Sequence, residues 1–109
     1  MSVRTARLAA VEVNALGTIT IATVPAGETW ILKSLLVNNQ SGVASTVIVL
    51  VNRPTPAVPV RLYSESVAQG ATRTWEGWLV LQPGDEVKVN ASAVSVFVWA
   101  SGTRLIGLA

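Results

Sequence analysis

The chain has 109 residues, enough for one domain around a single core, and half of them are hydrophobic while only 13% are charged. Histidine and cysteine are both absent, which removes disulfides, thiolate nucleophiles, Cys-ligated zinc, the Ser-His-Asp arrangement and the commonest metal ligand. Net charge is +2, with Arg4, Arg7, Lys33, Arg53, Arg61, Arg73, Lys88 and Arg104 scattered rather than clustered, so the basic stripe of a nucleic-acid binder is missing.

A charge content near half the usual ~25% leaves too few polar side chains to cover the outside, so some apolar surface must meet a partner. Lipid is not the expected one. Mean hydropathy is +0.51, yet the clean apolar runs are short, such as "VIVLV" at 47–51, against the ~20 residues of a membrane-crossing helix. The two N-terminal arginines resemble a secretory n-region, but Glu12 and Asn14 interrupt the apolar stretch that would have to follow. The expectation is neither a signal peptide nor a membrane anchor.

Taken in order, the first element spans 3–13. "RTARLAAVEV" is also compatible with a short helix, since Ala, Leu and Arg are good helix formers, but the rest of the chain leaves no room for helical layers. Residues 1–9 could instead be an arm. Strands are then expected at 17–24, 29–39, 44–52, 58–65, 71–82, 85–91 and 94–107, the last broken at Gly102. "GTITIATV" and "DEVKVNA" alternate with period two, as in outer strands or sheet faces with one wet side. "TWILKSLLVNN" and "STVIVLVNR" are apolar on both sides and should be central. Turns fall at Pro25/Gly27, 38–42, the proline cluster 52–59, Gln69/Gly70 and "QPGD" at 82–85. Eight β-branched-rich strands punctuated in this way predict one all-β domain over 1–109, an antiparallel β-sandwich of jelly-roll type.

"VPAGETWIL" at 24–32 echoes "LQPGDEVKV" at 81–89, and both use proline to fix φ and glycine to accept a positive φ. The echo reads as repeated turn chemistry, not as a duplicated domain.

Acid–base chemistry would have to come from Glu12, Glu28, Glu65, Glu76, Asp85 and Glu86. Glu28, Asp85 and Glu86 fall in turns, where a carboxylate ordinarily supports the turn. Asp85 beside Glu86 could lend oxygens to calcium, but no EF-hand spacing accompanies them. The chain is therefore expected to be no enzyme and to hold no cofactor or metal.

The tryptophans carry more information. On strand alternation Trp75 shares a face with Leu79 and Leu81, and Trp78 with Glu76 and Val80, so one is expected inside and the other outside. In "AVSVFVWAS", Val94, Val96 and Val98 face one way, and Ser95, Phe97, Trp99 and Ser101 the other. Serine alternating with large aromatics is no core face. Outward aromatics serve as sugar-stacking platforms or as interface anchors; the neighbours here are Ser, Val and Ala, which favours the interface.

The run "TVPAGETWILKSLLVNNQSGVASTVIVLV", the pair "GWLVLQPGDEVKVNAS" and the closing "VSVFVWASGTRL" together resemble the small β-sandwich virion proteins of tailed bacteriophages, over roughly 22–104. The resemblance implies a multi-copy, non-enzymatic structural protein, a trimer, of the head decoration or cement type. It would sit on the capsid surface after assembly in the host cytoplasm, with itself and the major capsid protein as partners. Nucleic acid, membrane and small-molecule ligands are not expected. Self-contact is assigned to Trp78, Phe97 and Trp99, and capsid contact to Arg4 and Arg7. The alternatives are a receptor- or carbohydrate-binding module of a tail or fibre, and a ring component of the tail or connector.

Overall fold

A computed structural model describes residues 2–54 and 57–107. The eight strands are β1 (Ser2–Val13), β2 (Gly17–Thr23), β3 (Glu28–Asn39), β4 (Ser45–Pro54), β5 (Ala57–Val67), β6 (Thr72–Leu81), β7 (Glu86–Ala91) and β8 (Val96–Ile106). They form two four-stranded antiparallel sheets in the orders β1-β8-β3-β6 and β2-β7-β4-β5. That is the jelly-roll arrangement, in which successive strands up to β4 alternate between sheets. Among the described residues there is no helix, and so none long and apolar enough to cross a membrane. Thr55 and Pro56, inside the expected proline turn, lie outside the described residues.

The first segment is strand, not helix: β1 pairs with β8 from Ser2 to Val13. The stretch expected as a possible arm therefore lies in an edge strand from Ser2 onward. The doubly apolar segments, β3 and β4, are interior strands of their sheets, as expected. β7 is interior as well, between β2 and β4; its alternation comes from one wet face rather than from an outer position.

The two inner faces make one core. Leu32, Leu35 and Val37 of β3, Val96, Val98 and Ala100 of β8, Val47 and Val49 of β4, and Val87 and Val89 of β7 are all buried. Full burial of each valine or leucine stabilises by about 1.5–3 kcal/mol relative to exposure. In β3 the inward set changes phase: Trp30 and Leu32 point in, then Leu35 and Val37. The change occurs at a bulge, because Leu32 and Ser34 pair with the adjacent residues Gly102 and Ser101, leaving Lys33 over. β1 carries an extra residue, Leu8, at the same level. β6 is irregular there too, with Leu32 and Ser34 opposite Leu79 and Glu76.

β8 is not broken at Gly102 but runs through it. Glycine is needed there for space, since a Cβ would collide with the carbonyl oxygen of Ile31 on the bulged strand. Every edge strand is irregular: β1 and β6 as described, β2 between Thr20 and Ala22, and β5 at Leu62, which is skipped between Arg61 and Tyr63.

Polar links close both ends. At one end Asn39, fully buried, donates from Nδ2 to the carbonyls of Val43 and Val67 and accepts at Oδ1 from the Ser41 N–H and hydroxyl. All its capacity is used, and it ties β3 to β5 across the sandwich. At the other end the two echoed turns meet: Val24 N–H donates to Asp85 O and Gly84 N–H to Val24 O, both at 2.9 Å. Gly27 and Gly84 each supply the positive φ, 79° and 90°.

Gly102→Ala is expected to destabilise the fold by about 1–3 kcal/mol through the forced shift of β3. Urea unfolding followed by tryptophan fluorescence measures it.

Candidate functional site

The outward faces of the two sheets differ in chemistry. On the β2-β7-β4-β5 sheet, cross-strand rows put Thr18 beside Asn90, Ile48 and Ser64, then Thr20 beside Lys88, Leu50 and Arg61, then Thr23 beside Glu86, Asn52 and Pro59. These side chains bond among themselves, Asn90 Nδ2 to Thr18 Oγ1 at 3.0 Å and Lys88 to Glu86 at 3.9 Å. This face suits water.

The β1-β8-β3-β6 sheet presents five outward rows: Glu12, Phe97, Asn38 and Thr72; Ala10, Trp99, Leu36 and Thr74; Arg7, Ser101, Ser34 and Glu76; Thr5, Thr103, Ile31 and Val80; and Val3, Leu105 and Thr29. Trp78 stands at the bulge level beside Lys33. Trp78 is 67% exposed, Trp99 46%, Val80 45% and Val3 65%, and a monomer in water derives nothing from displaying them together.

Trp78, Phe97 and Trp99, assigned from the sequence to self-contact, all lie on this face. Trp75 is the inward member of its pair and packs on the core, its indole lying over Gly77, where a Cβ would come 2.6 Å from Cζ2. Val80 joins the outward face, as its alternation with Trp78 implied, and so do Leu36 and Ile31, which the sequence did not single out. Their signal was the doubly apolar pattern of β3, read as burial on both sides.

Each exposed tryptophan carries a cation. The Arg7 guanidinium is 5.1 Å from the Trp99 ring centroid, and Lys33 Nζ is 5.0 Å from that of Trp78, distances at which the ring quadrupole attracts the charge. Arg4 and Arg7, assigned together to capsid contact, are not brought together: Arg4 shares the row of Arg104 and Trp30 on the core side, and Arg7 that of Ser101 on the outer side. Among the described residues Arg7, Lys33, Glu12 and Glu76 take part in no ion pair within the chain.

Of the candidates for acid–base chemistry, Asp85 and Glu28 take structural roles. Asp85 Oδ2 accepts the Gln82 N–H at 2.9 Å, supporting the turn. Beside it an open cleft of ≈ 180 Å³, lined by Val51, Arg53, Val60, Leu79, Val80 and Leu81, lies between the sheets at the β5 and β6 edges. Among the described residues no three His, Cys, Asp or Glu side chains gather at metal-binding distance. Glu28 Oε1 accepts from Trp30 Nε1 at 3.0 Å and from Arg104 Nε and Nη2 at 2.8 and 2.7 Å. The Trp30 hydrogen bond, reinforced by Arg104 and opposed by partial burial, holds the Glu28 carboxyl below its usual value. Burial, then the neighbouring Glu65 carboxylate, pushes the Tyr63 hydroxyl up to about 12.

No protein-family description matches the chain, and no curated protein does. Its fold is similar to that of solved structures. A chain of the T13 IBDV viral particle aligns with a TM-score of 0.64 at 10% identity, covering 97% of this chain and 31% of that one. The Drosophila NLP-core, solved for its pentamer formation and histone binding, aligns at 0.54 and 19% identity, over 96% and 99%. A protein of the extra small virus VLP from the giant freshwater prawn Macrobrachium rosenbergii aligns at 0.51 and 15%, over 94% and 77%. At these identities the likeness is one of fold: a jelly roll that proteins of viral particles also use. The chain spans under a third of the length of the IBDV protein it matches.

The depressed Glu28 carboxyl contributes stability that is present above its unfolded-state value and is lost as pH falls through the folded one. The stability difference between wild type and Glu28→Gln is therefore expected to be larger at pH 7 than at a pH below the usual carboxylate range. Urea midpoints of both proteins at the two pH values check this.

Proposed function

We propose that the chain is a non-enzymatic structural protein of a virion, a decoration or cement subunit of the tailed-phage type its turn motifs resemble. Its copies join through the outward face of the β1-β8-β3-β6 sheet. The observation that carries this reading is the contrast between the two sheets, one outer face polar and the other displaying Trp78 and Trp99 at 67% and 46% exposure. Burying aromatic anchors of this size supplies most of the energy of a protein interface.

The same anchors fit a sugar platform poorly. Arg7 and Lys33 already occupy ring surface on Trp99 and Trp78 that a pyranose would stack on. Histone binding, stated of the Drosophila NLP-core, finds no support here either, because a chain with net charge +2 repels a basic partner.

A subunit that binds an assembled shell and not its separated parts stabilises the shell by mass action. The capsid-facing contact falls to Arg4 on the edge strand β1, and the surface it meets is an acidic patch of the major capsid protein. Arg7 lies on the aromatic face and belongs to the contact between copies. Assembly in the host cytoplasm and a final place on the capsid surface complete the reading.

Light scattering of the purified protein at micromolar concentration is expected to give a mass above the 11.4 kDa of one chain. Trp99→Ala is expected to weaken association about 30-fold, the effect of losing an anchor worth about 2 kcal/mol. Electron microscopy separates decoration from shell building: the protein alone stays small and adds to preformed shells. Closed particles formed by the chain alone would overturn the decoration role, and a monomer at every concentration would overturn self-association.

A further inference from the structure

The outward face of the β1-β8-β3-β6 sheet carries four charges, two of each sign, and their positions are specific. Arg7 and Glu76 stand at opposite ends of one transverse row, Arg7 on β1 and Glu76 on β6, with Ser101 and Ser34 between them. That row is the third of five, at the middle of the face. Both side chains are exposed, and neither has an oppositely charged partner in its own chain among the described residues.

We propose that two copies pair face to face about a two-fold axis that runs parallel to the strands between β8 and β3, placing Arg7 of each copy against Glu76 of the other. The inference rests on the self-association reading above and adds its geometry. A rotation about that axis lays β1 over β6 of the second copy and β8 over β3. Within each row it exchanges the ends, so Arg7 meets Glu76, Ser101 meets Ser34, and Trp99 meets Leu36. Every charge in the central row faces its opposite, and the largest aromatic of the neighbouring row faces an aliphatic side chain. Packed sheets cross at about 30°, which lets outer rows diverge and keeps the central row in register.

The area is of the right size. Four strands about 4.8 Å apart and about ten residues long make a face of roughly 650 Å² in projection, comparable with the about 800 Å² per partner of a stable interface. The competing two-fold, perpendicular to the strands through the Trp99 row, would set Arg7 against Glu12 and overlap only three of the five rows. The cation on Trp99 is also held in place before the second copy arrives, so little side-chain freedom is lost in forming the pair.

A charge-swap series followed by light scattering and sedimentation velocity tests the geometry, with urea midpoints confirming that each variant is folded. The wild type is expected at about twice 11.4 kDa. Arg7→Glu and Glu76→Arg should each weaken pairing at least about tenfold, and the double variant should recover to within about threefold of wild type. Glu12→Arg should leave pairing within about threefold. A double variant no better than its parents, recovery by Arg7→Glu with Glu12→Arg instead, or a wild-type trimer would each overturn the pairing geometry. If Trp99→Ala still dissociates the protein in those cases, self-association through this face survives without it. A wild type that is monomeric throughout would overturn both.

Discussion

The close approach of β8 to β3 at Gly102 governs how the β1-β8-β3-β6 sheet is organised. With no side chain at that position, β3 can bulge over the β8 backbone at Ile31–Lys33, and the inward set of β3 shifts by one residue. Trp30 and Leu32 then fill one end of the sandwich, Leu35 and Val37 the other. The neighbouring irregularities in β1 and β6 keep the four strands level with this step. Lys33 is the residue left over, and it emerges on the outer face against Trp78. The Lys33–Trp78 contact on the outer face and the phase of the core are two results of the same bulge.

The two outer faces show what low charge means for this chain. On the β2-β7-β4-β5 sheet most of the outward residues in these rows are polar or charged, and Asn90 bonds to Thr18 across strands. The opposite sheet sets tryptophan, leucine and valine among threonines, serines and four charged side chains, with cations lying on the exposed indole rings. Such a cation keeps its water on one side while its stem covers apolar surface.

Much of the fold was legible in the sequence because period-two alternation, β-branched composition and proline–glycine turns all indicate the same thing. The split between Trp75 inside and Trp78 outside followed from alternation alone, as did the separation of Val96 and Val98 from Phe97 and Trp99. Alternation failed where the backbone broke its own period. The doubly apolar run of β3 looked like burial on both faces, but much of it is a change of phase at the bulge, and its outer residues, Ile31 and Leu36, belong to the open face. The glycine behind that step was read as a break in β8, since a glycine needed for close backbone approach looks the same in sequence as one that ends a strand. Arg4 and Arg7 share the assignment to capsid contact, yet, three residues apart in one strand, they fall on opposite sides of the sheet. The partnering of Arg7 with the Trp99 ring, and its shared row with Glu76, depend on pairing between distant strands that no local pattern encodes.

All four edge strands carry an irregularity, at Leu8, between Thr20 and Ala22, at Leu62 and beside Gly77. A further strand seeking to extend either sheet meets a ladder out of step with its own, which discourages open-ended stacking. A protein crowded at high local concentration with so little charge to keep its copies apart is thereby steered away from fibrous growth.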